Sequence, residues 1–88
     1  MEIKLKLYGS SKMLSDKTIL QIELPNNSNI EKLRSVLNKI ISEKYLKSNL
    51  RDLSKTAAFF SESDEVINDN YKLKHQELIS IIPPIGGG

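Results

Sequence analysis

The sequence predicts an α+β fold: a mixed sheet of four to five strands with one main helix packed on one face. Three observations carry this. Strict two-residue alternation appears near both ends of the chain, one long stretch between them repeats its apolar residues every three or four positions, and 88 residues suffice for a single core. Folding a chain this short hides only about 60 to 65% of its unfolded surface, so the interior serves packing and leaves no room for a buried catalytic cavity.

Residues 2–8 form the first predicted strand, with Ile3, Leu5 and Leu7 on one face and Glu2, Lys4, Lys6 and Tyr8 on the other. Gly9, Ser10 and Ser11 break it. After a polar stretch through Asp16 and Lys17, alternation resumes with Leu20, Ile22 and Leu24 and stops at Pro25, giving an opening hairpin with a loop of several residues.

Ser28 and Glu31 then have the spacing of a capping box, in which the serine oxygen accepts from the Glu31 amide and the carboxylate returns to the serine amide. Ile30, Leu33, Val36, Leu37, Ile40 and Ile41 make one helical stripe broad enough to lie across a sheet. The segment 44–55 fits either a helix extension or an irregular connection. Thr56–Phe60 reads as a short strand whose neighbours Phe59 and Phe60 divide between core and surface, and Ser61–Asp64 reads as a turn. Glu65–Ile67 follows as a very short strand or extended piece, Asn68–Asn70 as another turn, and Glu77–Ile82 as the last strand, ended by Pro83 and Pro84. A hairpin, a helix and returning strands follow one another in the order of the β-grasp, or ubiquitin-like, fold. The predicted division is a domain over 1–82 and an extended Pro-Pro/Gly-rich tail over 83–88.

Composition narrows the function. The chain has no cysteine and one histidine, which excludes a disulfide framework, a thiolate zinc site and a cysteine nucleophile, and leaves no ordinary route to a Ser/His pair. No metal site is expected: Glu62, Asp64 and Glu65 lack the spacing of a cation loop and its glycine bend, and His75 reads as an exposed turn residue. The formal charge of +2 is spread along the chain, with no basic stripe for nucleic acid. The opening residues lack a signal peptide's apolar run, and no segment approaches the ~20 residues needed to span a bilayer. The expectation is a cytoplasmic protein that binds neither membrane nor nucleic acid.

The glycines point to chemistry. Three of the four are Gly86, Gly87 and Gly88, behind Pro83-Pro84-Ile85. The prolines hold the backbone extended, and the glycines make a thin end with no side chain to obstruct a narrow channel. A carboxylate on such a tether can reach into another protein's active site. It is a poor electrophile until activated, for which adenylation by ATP is the general solution; sulfur would then give a thiocarboxylate, and a lysine amine an isopeptide.

The run from Glu77 through Ile82 into Pro83-Pro84-Ile85-Gly86-Gly87-Gly88 resembles the end of MoaD-type sulfur carriers, the small subunit of molybdopterin synthase. Related carriers of thiamine biosynthesis usually lack the double proline. The resemblance implies that Gly88 is adenylated by a ubiquitin-activating-like adenylyltransferase (MoeB-type) and converted to a thiocarboxylate. It implies further that the tail enters the large subunit (MoaE-type), with Pro84, Ile85, Gly86 and Gly87 in the partner's channel, and donates sulfur to cyclic pyranopterin monophosphate. No cofactor is bound by the carrier itself; ATP is used by the activating partner, and the catalytic residues belong to the partners. The family commonly has Gly-Asp at the turn into the last strand, where this chain has Gln76-Glu77. Other readings are a carrier for thiamine or another thiolated metabolite, a modifier joined to lysines through Gly88, and an interaction module with an idle tail.

Alternation also picks out misplaced apolar residues. With Ile79 and Ile81 inward, Ile82 lies on the open face, and Tyr8 shares that face with Lys4 and Lys6; one of Val66 and Ile67 must also point outward, and the family resemblance implies that it is Val66. Tyr8, Val66 and Ile82 are therefore expected to form a partner-binding patch near the root of the tail.

Overall fold

The computed structural model describes residues 1–44 and 52–83. Strands β1 (Glu2–Leu7), β2 (Ile19–Glu23), β3 (Ala58–Phe60), β4 (Val66–Ile67) and β5 (Leu78–Ile82) form one mixed sheet in the order β2-β1-β5-β3-β4. The chain's first and last strands, β1 and β5, are the parallel pair, with Leu5 opposite Ile79 and Leu7 opposite Ile81. The pairs β1–β2, β3–β5 and β3–β4 are antiparallel. A parallel pair needs a long crossover, and everything between β1 and β5 supplies it, including helix α1 (Ile30–Lys44).

The alternation in the sequence becomes two faces. Ile3, Leu5 and Leu7 of β1, Ile22 of β2, Phe59 of β3, Ile67 of β4 and Ile79 and Ile81 of β5 are buried together with Ile30, Leu33, Leu37 and Ile41 of α1. Full burial of such a side chain contributes about 1.5–3 kcal/mol. Val36 and Ile40 lie at the edge of the stripe and are half-buried.

The start of α1 differs from the predicted capping box. The Ser28 hydroxyl donates backward to the Pro25 carbonyl at 2.6 Å, and the Glu31 amide donates to the Asp69 carbonyl at 3.2 Å. The cap is Asn29, whose Oδ1 accepts the Lys32 amide at 2.9 Å while its carbonyl accepts the Leu33 amide at 3.1 Å. The Ile30 amide is taken by the Tyr71 carbonyl at 3.1 Å. Distant backbone carbonyls thus satisfy two of the amides that a helix start leaves free.

Two connections also depart from expectation. The hairpin loop contains a 3-10 turn, Gly9–Leu14, that buries Ser11 and Leu14. The predicted strand from Thr56 starts only at Ala58, because Leu53–Thr56 is a short helix, α2: the Ala57 amide donates to the Leu53 carbonyl at 3.0 Å, and the Thr56 hydroxyl donates to the Asp52 carbonyl at 2.8 Å. Of the undecided segment, Lys44 ends α1, residues 53–55 belong to α2, and 45–51 lie outside the described residues.

Arg34 of α1 ties α2 to the body of the domain. Its Nε pairs with Asp69 Oδ1 at 3.0 Å, and one terminal nitrogen donates to the carbonyls of Ala57 at 2.8 Å and Ser54 at 3.1 Å. The guanidinium lies 4.8 Å from the centre of the Phe59 ring. At the turn into β5, Gln76 takes φ +68°, a conformation in which glycine is unstrained. Glu77 holds that turn by accepting the Lys74 amide at 2.8 Å. The Gln76-Glu77 departure therefore keeps a glycine-type turn with a residue that bears a side chain.

Candidate functional site

The helix covers one face of the sheet and leaves the other open. Cross-strand partners point to the same side, so the pairings Ile19–Lys6, Lys6–Ser80, Ser80–Phe60 and Phe60–Val66 define one continuous row across all five strands. Ile82 and Ala58 form a second row toward the end of β5 from which the tail departs. Val66 is 73% exposed, Tyr8 39% and Ile19 38%, whereas Ile82, Phe60, Leu78 and Ala58 are half-buried.

The predicted patch residues sit on this face in two places. Tyr8 follows β1, and Ile82 ends the parallel strand β5 beside it. Val66 lies two strands beyond β5, about 10 Å away at the usual strand spacing. Phe60, on the intervening strand β3, is the cross-strand partner of Val66 and of Ser80. Its outward direction was legible from alternation with Phe59, but its pairing with Val66 depends on a register that spacing alone does not reveal. Ile19 was missed because it stands just before the recognised alternation, between Thr18 and Leu20.

Polar groups shape the rim. Lys6 Nζ lies 5.5 Å from the Tyr8 ring centre, a cation–π contact that holds the phenol against the sheet. The buried Ser11 hydroxyl accepts the Tyr8 amide at 2.8 Å and donates to the Tyr8 carbonyl, closing the turn behind it. Between them Gly9 takes φ +56°, and the position a β-carbon would occupy there is 3.6 Å from Cγ and 3.7 Å from Cδ of Pro83. The end of β1 and the end of β5 lie together because these strands are parallel, so the chain leaves the sheet at Pro83 beside Tyr8 and Gly9. The expected tail residues Pro84, Ile85, Gly86, Gly87 and Gly88 lie outside the described residues.

The remaining candidates have structural partners or none. His75 is exposed, and its Nδ1 accepts the Glu2 amide at 3.1 Å. Glu62, Asp64 and Glu65 are exposed on a turn closed by Ser61, and among the described residues no three His, Cys, Asp or Glu side chains are grouped to hold a metal ion. The hollow lined by Lys4, Thr18, Ile19 and Gln21 is wide open to solvent. No helix among the described residues is long and apolar enough to cross a membrane.

A five-stranded mixed sheet around a parallel pair of first and last strands, crossed by one main helix, is the β-grasp architecture, and the chain has this ubiquitin-like fold as its sequence predicts. No family model matches the chain, and no curated protein does. Among solved structures it is similar to molybdopterin converting factor subunit 1 from Pyrococcus furiosus, with TM-score 0.69 and 18% identity over 96% of this chain and 98% of that one. It is also similar to a chain in the complex of subunits 1 and 2 of molybdopterin-converting factor from Helicobacter pylori, with TM-score 0.63 and 25% identity over 100% of both. A third similar structure is small archaeal modifier protein SAMP1 from Haloferax volcanii, with TM-score 0.67 and 11% identity over 100% of both chains.

Proposed function

We propose that this protein is a sulfur carrier, the small subunit of a molybdopterin synthase, with Gly88 as its reactive residue. The observation that supports this most is the position of β5 in the middle of the sheet, parallel to β1, which brings Pro83 out beside Tyr8 at the rim of the open apolar face. The same domain would then dock a partner with its face and deliver Pro84-Ile85-Gly86-Gly87-Gly88 into that partner's channel. The similar Helicobacter pylori structure is itself a complex of subunit 1 with subunit 2, which favours a MoaE-type partner here.

In this reading a MoeB-type enzyme binds ATP, and a Gly88 carboxylate oxygen attacks its α-phosphorus, releasing pyrophosphate. A sulfur nucleophile then attacks the acyl carbon. The C–O bond to AMP breaks, a C–S bond forms, and Gly88 carries a thiocarboxylate. Within the large subunit that sulfur forms a bond to a carbon of cyclic pyranopterin monophosphate, and water cleaves the acyl C–S bond, returning Gly88 to a carboxylate. The carrier binds no cofactor and works in the cytoplasm.

The similarity to small archaeal modifier protein SAMP1 favours a second reading, in which activated Gly88 is joined to lysine amines. A carrier for thiamine or another thiolated metabolite shares the first two steps with the leading proposal. Intact-mass measurement of the protein from its native cell separates a carrier from a modifier. A thiocarboxylate adds the difference between sulfur and oxygen, and conjugates appear as larger species. Free carboxylate alone, even after incubation with the activating enzyme and ATP, refutes both carrier and modifier. Deleting Gly88 is expected to abolish sulfur transfer while large-subunit binding, measured by calorimetry, persists.

A further inference from the structure

We infer that Gly9 and the turn it opens are a positioning device that sets the direction in which the reactive tail leaves the domain. This inference rests on the reading of 84–88 as that tail. Three observations carry it. Gly9 holds φ +56°, where side-chain-bearing residues are strained, and the direction its side chain would take points at the Pro83 ring, 3.6 Å away. The turn behind it is anchored by Ser11, wholly buried, whose hydroxyl bonds both the amide and the carbonyl of Tyr8. Pro83 in turn has a fixed φ, so a surface that seats its ring also directs the residue that follows.

A glycine is the residue that allows this seat. A β-carbon at position 9 would lie at ordinary contact distance from the Pro83 ring, so it is the left-handed backbone of the turn, at φ +56°, that favours glycine there. The turn belongs to the hairpin between β1 and β2, far from the tail in sequence, and meets it because β1 and β5 run parallel side by side. Ordering the root of the tether matters for rate: a misplacement of about 1 Å at a reacting group can cost about 100-fold. Gly9 acts through Pro83 and touches no substrate atom.

Gly9→Asn tests this, because asparagine tolerates the left-handed backbone while adding side-chain atoms beyond a β-carbon that already lies in contact with Pro83. The assay is pyrophosphate release from ATP by the activating enzyme, with the full-length chain as substrate. The variant is expected to fold as the parent does by circular dichroism and to keep its KM, with kcat down about tenfold. In a Pro83→Ala background, Gly9→Asn is expected to add no further loss, since the ring it displaces is gone. Should Gly9→Asn unfold, Pro83→Gly, which leaves the turn untouched, is expected to show the same fall in kcat. An unchanged kcat in the folded variants, or fully additive losses in the double variant, overturns the positioning role while the carrier reading stands. No pyrophosphate release with the unaltered chain overturns both.

Discussion

Tyr71 shows how one hydrogen bond in this fold couples to pH. Its hydroxyl donates to Glu77 Oε2, while Oε1 of that carboxylate accepts the Lys74 amide. The bond to Glu77, then burial, then the carboxylate's negative charge hold the Tyr71 phenol above its ordinary value. The folded chain therefore keeps a proton that the unfolded chain has already lost. The stabilisation is present in full below the unfolded phenol's pKa of about 10 and disappears as pH rises through the higher folded value. Tyr71→Phe is expected to cost stability at neutral pH but to decline less steeply above pH ~10 in urea melts. Parallel alkaline slopes for the two proteins would sink this assignment. None of it was legible beforehand, because the six-residue spacing of Tyr71 and Glu77 becomes a contact only through the Gln76 turn.

At the scale of an element, α1 separates what spacing predicts from what a neighbour imposes. Its apolar stripe was legible because burial follows the helical period, and Ile30, Leu33, Leu37 and Ile41 are buried as that period requires. The cap was not, because the Asp69 carbonyl occupies the Glu31 amide that Ser28 would have taken. Asn29→Ala is expected to lower stability by about 1 kcal/mol. Glu31→Ala, which would break the predicted box, is expected to change it by less than about 0.5 kcal/mol. Equal losses from the two substitutions in chemical denaturation would restore the capping box. Arg34 was overlooked for a similar reason: nothing in its local sequence reveals that the Ser54 and Ala57 carbonyls will converge on it.

For the whole molecule, the two faces of the sheet differ, and the proposed function gives the open one a docking role. The helix seals one, and the other presents Tyr8 and the half-buried Ile82 at the exit of the chain and, further across the sheet, the half-buried Phe60 beside the exposed Val66. Exposed apolar groups gathered on one face mark an interaction surface. Tyr8→Lys and Val66→Asp are expected to weaken large-subunit binding at least tenfold, on the order of 1.4 kcal/mol or more, with the melting temperature little changed. Unaltered affinity for both the large subunit and the activating enzyme would remove this face as the dock.

The sequence by itself determined the α+β class, the outward direction of Tyr8 and Ile82, and the Pro-Pro/Gly-rich composition of residues 83–88, since all three follow from local periodicity and residue type. Only the tertiary structure decided that Gly9 lies beside Pro83, that Phe60 pairs with Val66, and that Asn29 caps the helix. The physical reason is the same in each case. Periodicity assigns a residue to a face, but strand register and parallel pairing bring together groups up to 74 positions apart, and no local pattern encodes that distance.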